Sequence, residues 1–324
     1  MKALVTGGAG FVGGTVVEAL LDAGHSVVVV DNLSSGTADQ VPTGATFVEA
    51  SVGNAEEIAK VLSATSFDAC FHFAGLIAAG VSMEEPESFF ANNVGETLSL
   101  LRCLVEAGVD RFVFSSSAAV YGEPLYTPID ESHRTETVSP YGESKLLVEH
   151  ALEWLARLGR IRYAALRYFN AAGAVRGRPE RHVPETHLIP LALEVAAGER
   201  ASLDLFGDDY PTPDGTCIRD YIHVADLAAA HIAAAQVLDQ ERAVICNLGT
   251  GTGSSNAQVI EAVRAVTGRD VAVRIGPRRP GDSSTLVAAN DRARTMLRWE
   301  PARSSLDEIV RDAWAARVDA GVSS

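Results

Sequence analysis

The first 31 residues constrain the fold of this chain more than any other part of it. Residues 3–6 form a short apolar run, and the glycine-rich stretch 7–13 follows at once. A helix-like segment at 15–21 then leads to the β-branched run 26–30, which ends at Asp31. A strand, a glycine turn, a helix and a second strand closed by an acid are typical of a βαβ unit that binds a dinucleotide.

The glycines of this turn have separate predicted roles. Gly7 allows the tight turn, Gly10 lets backbone N–H groups approach a pyrophosphate, and Gly13 lets the helix pack closely on the strand. Asp31 lies 18 residues beyond Gly13, where a carboxylate accepts hydrogen bonds from an adenosine ribose and repels a 2′-phosphate. The pattern therefore predicts NAD rather than NADP. A glycine turn alone would also fit an ordinary flexible loop. The two flanking strands and the terminal acid favour the dinucleotide-binding interpretation.

Strand-like and helix-like segments alternate through the first half of the chain. Strands are predicted at 46–48, 69–73, 111–114 and 161–168, and helices at 55–62, 86–107 and 141–158. This alternation predicts an α/β fold built on a doubly wound, parallel, Rossmann-like sheet. Ligands bind beyond the carboxyl ends of such strands. Residues 73–75 and the three serines 115–117 are expected at that edge.

The composition and periodicity of the chain change from about residue 171. Glycine, proline, arginine and histidine accumulate through 182–190, and regular periodicity is lost. The alanine-rich segment 224–238 and the strand-like run 243–248 again resemble the helices and strands of the first half. We therefore predict an NAD-binding domain at residues 1–170. Residues 171–324 are predicted to form mainly a smaller C-terminal substrate-binding domain, with returns to the main sheet around 224–248.

Tyr141 and Lys145 carry the most specific chemical signal. Four residues apart on a predicted helix, they share one face, so the ammonium can favour the phenolate form of the tyrosine. An oxidised nicotinamide nearby would act in the same direction, and Ser117 could orient the reacting hydroxyl and relay its proton. With the dinucleotide turn, these residues predict oxidation of an alcohol to a ketone. An isolated pair with this spacing would be an ordinary surface turn.

Charge and motif content exclude several classes of function. The formal net charge of −15 repels nucleic acid phosphates and anionic membranes, so neither is expected as a partner. The four cysteines form no C-x-x-C pair, the histidines form no H-E-x-x-H motif, and no G-x-S-x-G elbow is present. We expect reduced thiols, no metal and no hydrolase chemistry. Without a leader pattern or an apolar run near the roughly 20 residues of a membrane helix, a soluble cytoplasmic protein is expected.

A series of short segments carries a family resemblance over nearly the whole chain. The general segments are 6–8, 31–33, 72–75, 92–94, 115–117, 141–145 and 167–170, and the more specific ones are 206–212, 214–223 and 278–282. The chain resembles the extended short-chain dehydrogenase/reductases and, within them, the branch that interconverts UDP-glucose and UDP-galactose. The second group of segments carries the resemblance to that branch.

The residue patterns and the resemblance together imply a set of site residues. Ser117, Tyr141 and Lys145 are the expected catalytic residues. The expected cofactor-binding residues are Gly7, Gly10, Phe11, Val12, Gly13, Asp31, Asn32, Ser51, Phe73, Ala74, Gly75, Asn92, Ser115, Tyr141, Lys145 and Tyr168. The expected UDP-sugar-binding residues are Ser117, Tyr141, Asn170, His187, Leu188, Phe206, Arg219, Arg279 and Asp282.

The chemistry of three expected substrate-binding residues fits these roles. A diphosphate in an acidic protein needs bidentate cations, for which Arg219 and Arg279 are suited. Phe206 could lie against the uracil. The ordinary alternatives are solvated surface charge for the arginines and a core position for the phenylalanine.

The resemblance implies a reaction in which the product of oxidation never leaves. Tyr141 would take the proton of the sugar 4-hydroxyl while the hydride at that carbon passes to NAD. The 4-keto sugar would rotate and take the hydride back on its other face. Relatives also pair two long helices per subunit in a four-helix bundle, which implies a homodimer.

Other functions remain open at this level. Dehydratases of the same superfamily tend to carry an acid just after the serine, whereas Ala118 and Ala119 follow Ser117. Leu286 stands where an aromatic restricts the sugar pocket in some members, so UDP-N-acetylglucosamine is an alternative substrate. A UDP-pentose is a further alternative. A non-catalytic sensor of NAD and nucleotide sugars is a third possibility.

Two positions depart from the commoner pattern of the family. Ser51 stands where many relatives carry an aspartate near the adenine, which alters that contact. Ile77 replaces a lysine found in some members, so no cofactor role is assigned to it.

Overall fold

A seven-stranded parallel sheet forms the centre of the protein in the computed structural model, which describes residues 1–182, 184–279, 282–319 and 321. Its strands are β1 (Lys2–Thr6), β2 (Ser26–Asp31), β3 (Thr46–Glu49), β4 (Ala69–His72), β5 (Arg111–Ser117), β6 (Arg162–Tyr168) and β11 (Ala243–Leu248). Their spatial order is β11-β6-β5-β4-β1-β2-β3, and each neighbouring pair is parallel. The predicted doubly wound sheet is confirmed.

The direction of winding reverses between β1 and β4, the two central strands. The chain builds outward from β1 to β3, and then returns to β4 on the other side of β1. Ligands of open α/β sheets bind at such a switch point, beyond the carboxyl ends of the strands. The topology therefore places the predicted glycine turn, which follows β1, next to residues 73–75, which follow β4.

Helices cover both faces of the sheet, because its strands are apolar on both sides. Along β2, Val27 and Val29 pack into one core cluster and Val28 and Val30 into the other, as the period of two in a strand requires. The first face carries α1 (Phe11–Asp22), α8 (Val224–Val237) and α10 (Asp291–Leu297). The second face carries α2 (Ala55–Ala64), α5 (Thr97–Glu106) and α6 (Pro140–Arg157).

The helix predicted at 86–107 is interrupted. It consists of α4 (Pro86–Phe89), a π-helical segment (Phe90–Glu96) and α5, and the short α3 (Ala79–Ser82) precedes it. Within the π-helical segment, the buried Asn93 side chain accepts a hydrogen bond from the Leu76 amide (2.7 Å) and donates to the Ser144 hydroxyl (2.9 Å). These contacts hold the widened turn against the end of β4 and α6. Local periodicity contains no signal for such a widening.

Two other predicted boundaries move for physical reasons. Helix α1 begins at Phe11 rather than at residue 15, with Gly10 as its N-cap, so the glycines after Gly10 lie inside its first turn. Strand β5 runs three residues beyond the predicted end, because residues 115–117 continue the parallel register with β6.

The remaining elements lie mostly in the second half of the chain. They are β7 (Asn170–Ala172), α7 (Leu188–Ala197), β8 (Leu203–Phe206), β9 (Ile218–Arg219), β10 (Tyr221–His223), β12 (Ser254–Ser255), α9 (Asn256–Thr267), β13 (Val273–Gly276), β14 (Thr285–Leu286) and α11 (Leu306–Asp319). Helices α7, α9 and α11 share a third core cluster. Short strands pair as β7 with β10, β8 with β13, and β9 with both β12 and β14. Among the described helices, none is long and apolar enough to cross a membrane.

Candidate active site

The glycine turn between β1 and α1 has the geometry that its predicted role requires. Gly7 has a φ of +73°, and a Cβ there would lie 2.5 Å from the amide nitrogen of Ala74. A Cβ on Gly13 would lie 2.1 Å from the carbonyl oxygen of Gly7. No side chain caps the N-terminus of α1, so its first N–H groups are available to an anion. The turn therefore fits the pyrophosphate of a dinucleotide.

Asp31 is held in one orientation at the end of β2. Its carboxylate accepts hydrogen bonds from the amides of Ala9 (3.0 Å) and Leu33 (2.9 Å). Leu33 adopts a φ of +56°, an uncommon conformation for a leucine. The acid thereby ties the glycine turn to the loop after β2 while bordering the cavity described next.

A cavity of about 270 Å³ opens at the carboxyl edge of the sheet. Its lining contains most of the predicted residues: Gly7, Gly10, Phe11, Val12, Gly13, Asp31, Asn32, Phe73, Ala74, Gly75, Asn92, Ser115, Ser117, Tyr141, Tyr168, Asn170 and His187. Several predicted residues are not among those that line it: Ser51, Lys145, Leu188, Phe206, Arg219, Arg279 and Asp282. Glu96, Glu180 and His182 line it without having been predicted.

Helix α6 carries Tyr141 and Lys145 into this region. Its N-cap, Ser139, accepts a hydrogen bond from the Gly142 amide at 3.2 Å, and Pro140 occupies the first turn, a favourable start for a helix. The Lys145 ammonium lies 5.8 Å from the centre of the Tyr141 ring and donates a hydrogen bond to the carbonyl oxygen of Ser115 at 3.0 Å. The two side chains thus share one side of the helix.

The charge state of this pair differs from the simplest expectation. Burial raises the pKa of the Tyr141 phenol, and the Ser117 hydroxyl acts in the opposite direction. Burial also lowers the pKa of the Lys145 ammonium to about 8. In the protein without a cofactor, burial thus disfavours the charged form of both side chains. The prediction that Lys145 and an oxidised nicotinamide together favour the phenolate concerns the protein with its cofactor bound, and it stays a prediction.

The three serines at the end of β5 point to different partners. Ser117 is the N-cap of the short 3-10 turn at residues 118–120, and its hydroxyl accepts a hydrogen bond from the Ala119 amide at 3.1 Å. Ser115 is hydrogen-bonded to the Tyr168 hydroxyl on β6. Ser116 points away from the cavity and donates to Glu149. Alternation along the strand therefore leaves Ser115 and Ser117 as the serines of the cavity.

Beneath the cavity lies a buried ion pair that sequence analysis did not find. Arg167 on β6 donates from its Nε to Glu149 on α6 at 3.0 Å, and both side chains are about 95% buried or more. Arg167 also donates to the hydroxyl of Tyr121, which in turn donates to the Asn247 side chain on β11. The network fastens α6, and with it Tyr141, to two strands of the sheet. Spacing alone does not reveal it, because the partners meet only in the fold.

The predicted diphosphate cations meet at a shared carboxylate. Asp282 lies 2.8 Å from Nε of Arg279 and 3.6 Å from Arg219. The Arg279 guanidinium stacks over the Phe206 ring, with 4.8 Å to its centre. Within the predicted segment 278–282, positions 280 and 281 lie outside the described residues. The four predicted residues therefore form one cluster.

This cluster is joined to the cavity through a pair of short strands. The amide and the side chain of Asn170, a cavity residue, both donate to the carbonyl oxygen of Asp220, at 3.1 and 3.2 Å. Asp220 directly follows Arg219. Its fully buried carboxylate accepts hydrogen bonds from the amides of Thr250, Gly251 and Ala288, which fixes the strand that carries Arg219.

A group of two histidines and two glutamates stands at the cavity wall. Glu180, His182, Glu185 and His187 bring possible ligand atoms within 4.8 Å of one another. Nδ1 of His187 lies 2.8 Å from Glu185 and 3.0 Å from Glu180. Ion pairing gives these side chains a role without a metal. Their sequence spacing matches no metal motif, which is why the group was missed.

The charges in this group support one another. Burial acts to lower the pKa of His187, but the carboxylates of Glu180 and Glu185 outweigh it and raise that pKa to about 10. Burial likewise acts to raise the pKa of Glu180, but hydrogen bonds with His182 and His187 hold it at about 2. His187 is therefore a protonated partner in an ion pair with Glu180 at the cavity wall at neutral pH.

The remaining predicted positions lie near the cavity wall. Leu188 begins α7. Leu286, like the cavity residue Phe169, packs against a small apolar cluster that contains Val120 and Tyr121. Ile77 is exposed and borders the cavity.

These features define a dinucleotide-binding α/β protein of the dehydrogenase type. They are the doubly wound parallel sheet, the glycine turn after β1, the acid at the end of β2, and the serine, tyrosine and lysine of β5 and α6. The chain belongs to the NAD dependent epimerase/dehydratase family, whose model matches residues 3–249. The family resemblance seen in the sequence is thereby confirmed.

Similar proteins of known name support this family assignment. The chain is 48% identical over 314 residues to a UDP-glucose 4-epimerase of Streptomyces lividans, covering 97% of this chain and 95% of that protein. It is similar to the solved UDP-glucose 4-epimerase of Brucella ovis in complex with NAD, at 42% identity, a TM-score of 0.94 and 97% coverage of each chain. The UDP-glucose 4-epimerase of Bifidobacterium longum in complex with NAD+ and UDP is also similar, at 35% identity, a TM-score of 0.93 and 98% coverage of each chain.

Proposed function

We propose that this protein is an NAD-dependent epimerase that interconverts UDP-glucose and UDP-galactose. One observation carries the proposal: Tyr141 and Ser117 border the same cavity as the glycine turn, with Lys145 behind the tyrosine. The named relatives, which align over almost the whole chain, carry that activity in their names. The chemistry of the cavity and the identity of the relatives therefore point to the same reaction.

Bound NAD supplies a reversible hydride acceptor for carbon 4 of the sugar. Residues 1–170 would hold this cofactor. The glycine turn and the N-terminus of α1 would bind its pyrophosphate, and Asp31 would bind its adenosine ribose. Ser51, Phe73, Asn92, Ser115 and Tyr168 are further cofactor residues in this proposal, together with the neighbours already named in the cavity lining.

The proton of the 4-hydroxyl is handled by the chain itself. Tyr141 takes it as general base and later returns it to the 4-oxygen, after the hydride has been returned to the opposite face of carbon 4, while Ser117 orients the hydroxyl. Burial opposes the phenolate, so a positive charge beside the tyrosine is required. Lys145, close to the ring and itself buried, supplies part of that charge.

The nucleotide half of the substrate would be held mainly by residues 171–324. Arg219 and Arg279 pair with the diphosphate after exchanging part of their contact with Asp282, and Phe206 offers a flat face for the uracil. In this proposal, Asn170, His187 and Leu188 contact the substrate between its sugar and its diphosphate. His187 adds a further cation near an otherwise acidic wall.

The alternatives have less support from this chain. A dehydratase needs an acid after the catalytic serine, where this chain has Ala118 and Ala119. A non-catalytic sensor would not need Ser117, Tyr141 and Lys145 in this arrangement. An epimerase acting on UDP-N-acetylglucosamine is favoured by one observation, the leucine at position 286, which leaves more room than an aromatic.

The first prediction tests the base directly. Tyr141→Phe removes the phenol and should lower the rate of UDP-galactose turnover by about 100-fold to 10,000-fold, as loss of a general base does, while thermal unfolding stays near that of the wild type. Tyr126→Phe, at an exposed loop tyrosine, is the matched control and should turn over normally. Near-normal turnover by Tyr141→Phe would exclude the proposed mechanism. Assaying the N-acetylated pair alongside decides between the substrates.

We also infer a homodimer in the cytoplasm. Large apolar side chains are exposed along α5 and α6, among them Leu98 at 45% and Trp154 at 63%, and a partner subunit would cover them. Leu147 and Leu158 extend the same side of α6. The four cysteines are free and buried, in keeping with a reducing compartment.

A further inference from the structure

Glu96 is a residue of the cavity lining that was not predicted from the sequence. It is the last residue of the π-helical segment, and its carboxylate accepts a hydrogen bond from the Ser51 hydroxyl at 2.7 Å. Ser51, which follows β3, accepts in turn from the Gly53 amide at 3.0 Å. A Cβ on Gly53 would lie 2.6 Å from Cγ of Glu96. The loop after β3 is therefore built to receive this carboxylate.

The position of Glu96 along the cavity identifies what it faces. It lines the cavity together with Asp31, Ala50 and Val52. Asp31 is the last residue of β2, and Ala50 and Val52 follow β3. In a doubly wound sheet the adenosine half of a dinucleotide lies on that side, beyond the acid at the end of β2. Glu96 is thus a carboxylate at the adenine end, away from Tyr141 and the nicotinamide end.

We propose that Glu96 is the residue that recognises the adenine base, by accepting a hydrogen bond from its exocyclic amine. Ser51 holds one carboxylate oxygen, Oε2, and so positions the other oxygen toward the base. The carboxylate can only accept, which favours a base with an amino group and disfavours one with a keto oxygen at the same place. Ser51 has no carboxylate to accept the hydrogen bond of the amine, and it acts here as a positioning residue for the Glu96 carboxylate.

The proposal rests on the NAD binding of the proposed function and concerns only its adenine end. It makes Glu96 a specificity-determining residue, distinct from the ribose contact of Asp31. A purely structural tie between Ser51 and Glu96 would stabilise the loop after β3 without discriminating between bases. The two readings differ in one measurable quantity, the preference between NAD and nicotinamide hypoxanthine dinucleotide, in which a keto oxygen replaces the amine.

The experiment incubates the purified protein with an excess of an equimolar mixture of these two dinucleotides. After the free nucleotides are removed, the bound ones are released by acid and quantified by chromatography. The wild type should retain NAD over the hypoxanthine form by at least about 10-fold, the range of one hydrogen bond to a charged group. Glu96→Gln, whose amide can donate to the keto oxygen, should bring the ratio close to one.

Two further variants complete the test. Ser51→Ala keeps the carboxylate but not its positioning, so it should give an intermediate ratio, and it serves if Glu96→Gln does not fold. Glu106→Gln, at an exposed position on α5, should match the wild type. An unchanged ratio in both Glu96→Gln and Ser51→Ala overturns the inference while leaving NAD binding intact. A wild type that retains neither dinucleotide overturns the proposed function itself.

Discussion

His187 shows how much a single residue depends on what the fold places beside it. In the sequence it is one of eight histidines, without a motif. In the structure Glu180 and Glu185 flank its ring, and the resulting imidazolium faces a cavity that is proposed to hold a diphosphate. The imidazolium balances one of the two carboxylates beside it, so this wall of the cavity repels an anionic ligand less than the carboxylates alone would.

The charge of His187 predicts a pH dependence of stability. Its pKa, about 10 in the folded protein, exceeds that of an unfolded histidine, about 6.5. The stabilisation is therefore fully present below pH 6.5 and is lost as the pH rises through 10. Because the side chain is 42% exposed, solvent screens the pairs and the effect should be about 1 kcal/mol.

The measurement is the free energy of unfolding of the wild type minus that of His187→Gln, obtained by urea titration from pH 6 to pH 10.5. The difference should fall over this range. His150→Gln, at an exposed position on α6, should show no such trend. A constant difference for His187→Gln would contradict the paired imidazolium.

At the scale of elements, α6 connects the chemistry to the sheet. Tyr141 and Lys145 lie in its first two turns, and Glu149 follows one turn later, bound to Arg167 on β6. The regular strands and helices were largely predictable, because burial imposes a period of two on strands and 3.6 on helices. The π-helical segment was not, because the contacts of Asn93 with Leu76 and Ser144 involve residues far away in sequence.

The buried pair predicts an asymmetry between removing one partner and removing both. Glu149→Gln leaves the Arg167 charge buried without its counter-ion and should lower the free energy of unfolding by about 3 kcal/mol. Replacing both residues, Glu149→Leu with Arg167→Met, should recover part of that loss because no charge remains buried. Urea unfolding of the three proteins measures this. Equal stability of Glu149→Gln and the wild type would show that the pair does not hold α6.

At the scale of the whole molecule, the exposed apolar side chains of α5 and α6 predict an assembly. On α5, Leu101 is only 2% exposed, whereas Leu98 is 45% exposed, so one side of this helix packs in the core and another is left for a partner. The sequence suggested the leucine stripes but did not separate the two sides. Their separation depends on how the helices sit on the sheet.

Charged substitutions on that surface test the proposed dimer. Leu98→Lys combined with Trp154→Lys places charges where two subunits would bury apolar surface, so light scattering after gel filtration should show a shift from dimer to monomer. Ile275→Lys, at an exposed isoleucine of β13, is the control and should leave the mass unchanged. A double variant that remains dimeric would place the interface elsewhere.

Features that depend on neighbours along the chain could be predicted from the amino-acid sequence. The turn around Gly7 and Gly13, the acid at position 31 and the spacing of Tyr141 and Lys145 are local, and each follows from the geometry of a strand, a turn or a helix. These features were sufficient to predict the sheet, the cofactor and the class of chemistry.

Contacts between side chains that are distant in sequence became visible only in the folded protein. Glu96 reaches Ser51 across 45 positions, and Glu149 reaches Arg167 across 18. The carboxylates that pair with His187 are near in sequence, but they belong to a loop without a periodicity that would predict its conformation. Burial, which also decides the pKa of Tyr141 and Lys145, is a property of the packed molecule. Contacts between residues remote in sequence leave no repeat or spacing by which a single sequence could reveal them.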